Sequence, residues 1–230
     1  MVRLDKLLVD LQIGTRSEVK ALLKKGLIFV DDKVIKAPET KVDETRVIIT
    51  YAGREYSYKP FCYYLMNKPQ GVITATEDNK EATVMDIFRE KFPQAPKDVS
   101  PVGRLDKDTT GLLLLTNDGQ LAHSLLSPKK HVDKTYFVTL DGILTLENIH
   151  ALENGVHIGE GELTAPAKVE YTEGETVCLI TIHEGKFHQV KRMFYSVGRQ
   201  VIALKRISFG PWKLDEEALP LGEVIEIPQC

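Results

Sequence analysis

At 230 residues the chain has room for one large domain, or for a small and a medium one. Its 43% hydrophobic and 27% charged residues are those of a globular protein, and a net charge of -3 excludes a uniformly cationic nucleic-acid coat. Nucleic-acid binding then depends on where the lysines and arginines cluster.

No apolar run approaches the roughly 20 residues that span a bilayer. The charged start Met1-Val2-Arg3-Leu4-Asp5-Lys6 lacks the apolar core of a signal peptide, so a cytoplasmic location without membrane contact is expected. The three cysteines, Cys62, Cys178 and Cys230, are too far apart for a CxxC metal site or a disulfide framework. Cys62 and Cys178 lie in apolar runs and are expected to be buried, Cys230 to be exposed.

Leu4, Leu7, Leu8 and Leu11 repeat at helical spacing and predict a first helix, broken at Gly14. Thr15 and Glu18 form a capping-box pattern that starts a second helix at Arg16, with Gly26 as its stop. Leu27 to Val30 and Lys33 to Ile35 read as strands joined at Asp31-Asp32, a weaker hairpin signal than Asn-Gly. Val47 to Thr50 reads as another strand. Arg16, Lys20 and Lys24 share one face of the second helix, and Arg3 and Lys6 are similarly placed on the first. From Met1 to Lys36 there are eight Lys/Arg and five Asp/Glu. On charge alone a solvated face is the better reading; a phosphate-binding face is the functional one.

Tyr51 to Pro60 is polar, contains Gly53, ends in proline and reads as a linker. Beyond it, Tyr63 to Met66, Leu112 to Leu115, Tyr136 to Leu140, Thr176 to His183 and Val201 to Ile207 read as strands. Gln120 to Leu126 and Gln189 to Val197 read as helices. Strands without regular helix alternation predict an α+β domain with a mainly antiparallel sheet.

Three stretches can carry chemistry. Arg104 and Asp106 lie two residues apart in a loop before the apolar run at Leu112; on spacing alone a structural salt bridge is favoured over a catalytic acid. The stretch His183-Glu184-Gly185-Lys186-Phe187-His188-Gln189-Val190-Lys191-Arg192-Met193 joins a strand to a helix. Its histidines lack zinc spacing, leaving an anion site or a solvated turn. Lys129-Lys130-His131-Val132-Asp133-Lys134-Thr135-Tyr136 places lysines before an aromatic, where a base could stack, although a core role for Tyr136 is the simpler reading. Dinucleotide, P-loop and nucleophile-elbow motifs are all missing from the sequence.

Taken together, these pieces resemble the RsuA group of RNA pseudouridine synthases. Gly103-Arg104-Leu105-Asp106, Asp108-Thr109-Thr110-Gly111-Leu112 and Thr116-Asn117-Asp118-Gly119 are similar to its active-site motif. Asn67-Lys68-Pro69-x-Gly71, Lys134-Thr135-Tyr136 and Glu184 to Phe194 are similar to its other motifs, in the family order. Arg3-Leu4-Asp5-Lys6-Leu7 and the basic helix resemble an S4 RNA-binding domain. The resemblance implies an S4-like domain at 1–58 and a synthase domain at 59–230 with a mixed, mainly antiparallel sheet.

It also implies conversion of uridine to pseudouridine in RNA without metal or organic cofactor; nothing in the sequence specifies an oligomer, so a monomer is the default expectation. The implied partner is 16S ribosomal RNA in an assembling small subunit, with uridine 516 as target. A large-subunit (23S) target and a non-catalytic RNA-binding assembly factor are the alternatives. Asp106 would be the catalytic carboxylate, Lys191 its partner cation and Tyr136 the stacking residue. Many synthases carry arginine where Lys191 stands; lysine keeps the charge but cannot form the bidentate fork. Arg104 would hold RNA backbone or fill the gap left by an extruded base, and Leu204 would lie under that base. Lys186, His188 and Arg192 would contact RNA beside the site, and Arg3, Lys6, Arg16, Lys20 and Lys24 would do so on the S4 face.

Overall fold

The computed structural model describes residues 1–58, 60–171 and 176–228. Cys230 lies outside them. The chain divides into two compact units, Met1–Phe61 and Cys62–Cys230.

In the first unit β1 (Val2–Arg3) leads into α1 (Leu4–Asp10) and α2 (Arg16–Lys24). Then come β2 (Ile28–Val30), β3 (Lys33–Val34), β4 (Lys41–Val42), β5 (Ile48–Tyr51) and β6 (Arg54–Ser57). The predicted capping box is present: Glu18 N donates to Thr15 Oγ1 at 3.4 Å, and Thr15 N donates to Glu18 Oε2 at 2.7 Å. Leu4, Leu7 and Leu8 of α1 pack with Val19 and Leu23 of α2 and Ile28 and Ile49 of the strands. Arg3 stands just before α1 in extended backbone rather than on the helix.

The Asp31-Asp32 turn works because both residues take left-handed φ values of 46° and 63°. Asp31 Oδ1 also accepts from Ile48 N at 3.0 Å, a cross-strand bond that glycine could not supply. The expected linker at Tyr51 to Pro60 is instead largely a hairpin. Strands β5 and β6 pair antiparallel through Ala52-Gly53, with φ of 51° and 75°. Its polar sequence reflects a sheet edge in water, since β6 ends the order β3-β2-β5-β6.

The second unit contains β7 (Tyr63–Lys68), α3 (Val84–Lys91), β8 (Ser100–Pro101), β9 (Thr110–Thr116), α4 (Gly119–Leu126), β10 (Lys134–Leu140) and α5 (Leu146–Asn154). It continues with β11 (Lys168–Tyr171), β12 (Val177–Ile182), α6 (Gln189–Ser196), β13 (Val201–Phe209), β14 (Trp212–Lys213) and β15 (Val224–Ile227). The sheet runs β11-β12-β10-β13-β9-β7-β15, with β8 beside β9 and β14 beside β13. Among the described residues, these strands pair antiparallel throughout except β9 with β13. This is the expected α+β architecture.

The apolar run Leu112 to Leu115 is continuous because both faces of the sheet are covered. Leu113 and Leu115 pack with Val84 and Phe88 of α3, Leu152 of α5 and Met193 and Phe194 of α6. Leu112 and Leu114 face the other way, toward Leu125 of α4, Phe209 and Leu219. Helices α3 and α5, absent from the sequence reading, start at Thr83 and Thr145 with Asp86 and Asn148 closing the capping boxes. Cys62 and Cys178 are buried, as expected, and neither forms a disulfide among the described residues.

Gly111 fixes the parallel β9–β13 junction. At φ 103° it approaches β13 so closely that an added Cβ would lie 2.2 Å from Arg206 O. Only glycine lets the strand leave the Asp106 loop at that point.

Candidate active site

Asp106 lies in the loop between β8 and β9, and that loop is held from several sides. Thr74 Oγ1 donates to Leu105 O at 2.8 Å and accepts from Leu105 N at 3.1 Å. Thr109 N donates to Asp106 O at 3.1 Å, and Gly71 N to Lys107 O at 2.9 Å. Lys68 is fully buried at the end of β7. Its Nζ donates to Pro69 O and Thr109 O, both at 3.0 Å, and to Lys107 O at 3.4 Å. The Asn67 to Gly71 turn is thus a clamp that fixes Asp106. Burial pushes the Lys68 ammonium down to about 8, against the opposing pull of Asp106 and Asp108.

The carboxylate faces α6. Lys191 Nζ lies 2.9 Å from Asp106 Oδ2 and 2.6 Å from Asp108 Oδ1. His188 Nε2 is 3.6 Å from Asp106 Oδ1. Burial disfavours the Lys191 charge, but the bonds and charges of Asp108 and Asp106 outweigh it and hold its pKa above the usual value. The Lys191 hydrogen bond lowers that of Asp108. No ion pair joins Arg104 to Asp106 among the described residues. The salt bridge favoured on spacing alone is replaced by one that spans the fold: Arg104 is exposed while Lys191 faces the acid.

Asp106 and Lys191 line a cleft of about 740 Å³ together with Arg104, Tyr136, Leu204, Lys186 and His188. Tyr136 on β10 lies opposite Arg206 in the β10–β13 ladder, and Leu204 lies opposite Val138. Both Tyr136 and Leu204 are largely buried, so the cleft has an aromatic and an aliphatic wall near the acid. A flat ring fits such walls, and the Asp106 carboxylate can act on it as nucleophile or as electrostatic partner.

The strand-to-helix connection before α6 is built from local bonds. Glu184 pairs with Lys186 and accepts from Ala165 N at 2.8 Å and Gln189 Nε2 at 2.9 Å. Gln189 Oε1 in turn accepts from Lys186 N at 2.9 Å. His188 begins α6 at φ 46°, stacked on the exposed Phe187 ring at 3.8 Å. Arg192, expected at the RNA contact, is committed elsewhere. Its guanidinium donates to Ile158 O at 2.8 Å and to Glu162 Oε2 at 2.8 Å, clamping the 158–162 turn. It lies one helical step beyond Lys191, on a different face.

On the first unit, Lys6, Arg16, Lys20 and Lys24 are exposed. Arg3 is tied by two bonds, of 3.0 and 2.9 Å, to the buried carboxylate of Asp5. Sequence reasoning missed Lys68, Thr74 and Arg206, three groups that shape the cleft or its loop. Lys68 sat inside a quoted motif, but burial of its amine had no local signal.

With this geometry the family comparison is decisive. Residues 62–196 match the RNA pseudouridylate synthase model and residues 2–48 the S4 domain model. The chain belongs to the RNA pseudouridylate synthase family: it is an RNA pseudouridine synthase that carries an S4 domain. It is 49% identical to the uncharacterised RNA pseudouridine synthase YtzG of Bacillus subtilis, over 99% of this chain and 95% of that one. It is 43% identical to ribosomal small subunit pseudouridine synthase A of Vibrio cholerae, over 95% and 93%. It is also 39% identical to ribosomal large subunit pseudouridine synthase B of Bacillus subtilis, over 90% and 84%. A crystal structure of a pseudouridylate synthase superposes with a TM-score of 0.67 at 32% identity, covering 99% of this chain and 96% of that one.

Proposed function

We propose that the protein isomerises a uridine of 16S ribosomal RNA to pseudouridine, with Asp106 as the catalytic carboxylate. The observation that carries this reading is the Asp106–Lys191 pair at a cleft walled by Tyr136 and Leu204. Lys191 pairs with the Asp106 carboxylate and orients it. Tyr136 and Leu204 hold the flipped base, and Arg104, exposed at the mouth, contacts the backbone or fills the vacated stack. Leaving the stack costs a few kcal/mol, which phosphate contacts from Lys6, Arg16, Lys20 and Lys24 help to offset. The small-subunit target rests on the Vibrio cholerae relative, identical at 43% against 39% for the large-subunit enzyme. On this reading the enzyme works on ribosomal RNA in the cytoplasm, and a monomer is taken as its working form.

The test treats small- and large-subunit RNA, naked and as assembling particles, with wild-type protein and with Asp106→Asn, and maps pseudouridine chemically. One mark in 16S RNA, absent with the variant, is expected. A mark in 23S RNA moves the target, and identical marks from both proteins remove Asp106 from the chemistry.

A further inference from the structure

The inner wall of the cleft holds two cations that the reading above does not use. Arg206 on β13 is 2% exposed and Lys134 on β10 is 7% exposed, and both line the cleft. Arg206 Nε donates to Leu112 O at 2.7 Å, but Nη2 is buried with no hydrogen-bond partner among the described residues. The guanidinium lies 4.8 Å from the centroid of the Phe209 ring, and Lys134 Nζ lies 5.7 Å from the same centroid. Among the described residues, Lys134 Nζ donates only to Val132 O, at 3.1 Å.

Neither cation has a carboxylate partner in the cleft. The acids lining it are Asp106, engaged by Lys191, and Glu184, engaged by Lys186. Burial and then the nearby Arg206 charge hold Lys134 below its ordinary pKa, with Asp133 opposing. Two buried like charges and an unsatisfied donor are costly in a resting protein. Such a cost is maintained where negative charge develops during a reaction.

The position fits one such charge. Arg206 stands directly across the ladder from Tyr136 and two residues from Leu204, the two walls assigned to the base. We propose that Arg206, backed by Lys134, stabilises the uracil anion that forms when the glycosidic bond breaks. The inference rests on the pseudouridine reading. When C1′–N1 cleaves, its electron pair leaves with the base and spreads over N1 and the two carbonyl oxygens. The positive charge of Arg206, in the wall of the cleft, stabilises that spread negative charge without a direct contact from the buried Nη2. The turned base then bonds through C5 to C1′, the C5 proton departs to a base, and N1 takes up a proton, so the net change is an isomerisation.

The test uses leaving-group dependence in the full-length protein. Single-turnover loss of the N-glycosidic nucleoside is measured on RNA carrying uridine or 5-fluorouridine at the target. Fluorine makes the departing anion a weaker base that needs less stabilisation, and this readout precedes removal of the C5 substituent. Arg206→Gln should slow the uridine reaction by about a hundredfold and the fluorinated one by about tenfold. The ratio of the two rates does not depend on the fraction of protein that folds. Should Arg206→Gln be insoluble, Lys134→Gln reads the same ratio, with an increase of about threefold expected. Equal losses on both substrates overturn the proposal and make Arg206 a packing or phosphate contact. An inactive wild type overturns the pseudouridine reading itself, and this proposal with it, whereas active wild type with an unmoved ratio defeats only this one.

Discussion

The two units use positive charge in opposite ways. On α2 the cations Arg16, Lys20 and Lys24 face water, and none forms an ion pair among the described residues. Around Asp106, apart from the exposed Arg104, the cations are buried or engaged: Lys68 by three carbonyls, Lys191 by two carboxylates, Arg192 by Glu162. A solvated lysine can exchange its counterions for phosphates at little cost, which suits contact with any RNA sequence. A buried lysine has lost hydration and must be held by fixed partners, which suits a geometry that cannot drift. On the proposed reading, one unit supplies adjustable affinity and the other a rigid reaction centre.

That contrast is broken most directly at Asp106. Asp106→Asn should abolish turnover, by at least about a thousandfold, while RNA affinity stays within about threefold of wild type. Retained turnover would move the reaction centre elsewhere. Lys191→Met should follow, with a loss on the order of a hundredfold, because Asp106 and Asp108 are left as unneutralised neighbours. Lys191→Arg should recover part of that rate; an arginine variant as poor as Met would show that ammonium geometry, not charge, is what matters.

Lys68 sharpens the buried side of the comparison through pH. Its folded pKa of about 8 lies below the ordinary 10.5. Below pH 8 the amine is charged in both states, and its burial subtracts fully from stability. Between pH 8 and 10.5 the unfolded chain binds more protons, so this group makes stability rise with pH. The rise is on the order of 3 kcal/mol at most, since each unit is worth about 1.4 kcal/mol. Urea unfolding of wild type and Lys68→Met at intervals from pH 7 to 10.5 checks it: the wild-type slope should exceed that of the variant. Parallel slopes would mean that Lys68 is as well solvated as an ordinary lysine.

How much of this was legible follows the same division. The α1–α2 pair was readable because its signals are local: an apolar stripe and a Thr15–Glu18 box within one turn. Helices α3 and α5 carry equivalent boxes closed by Asp86 and Asn148, residues that make a weaker pattern than Glu. The β5–β6 hairpin was mistaken for a linker because an edge strand in water looks polar. Motif order named Asp106, Tyr136 and Lys191, which the fold brings to one cleft. It did not reveal the Lys68 clamp or the Arg206 position, since burial of a cation is decided by strands distant in sequence. Gly111→Ala tests one such junction. The added methyl meets the Arg206 backbone, so a loss of about 1–3 kcal/mol in urea unfolding is expected, with a larger loss of turnover than of RNA binding. Unchanged stability would show that the β9–β13 contact relaxes freely.

The exposed face gives the smallest and most specific effect. If Arg16 and Lys20 neutralise phosphates, replacing both with glutamate removes two counterion-releasing contacts. The slope of log affinity against log salt should then fall in magnitude by about 1.4–1.8, at 0.7–0.9 per contact. The loss should appear at low salt, shrink as salt rises, and be similar for target and unrelated RNA, because phosphate contacts carry no sequence information. Both side chains are exposed and neither packs in the α1–α2 core, so unfolding midpoints should stay within about 0.5 kcal/mol of wild type. Single-turnover rates at saturating RNA should also be unchanged, since Asp106 and its partners are untouched. An unaltered salt slope would return this helix face to ordinary solvated surface. A lowered rate at saturation would mean that the first unit positions the reacting nucleotide as well as holding the RNA, and the division of labour between the two units would fail.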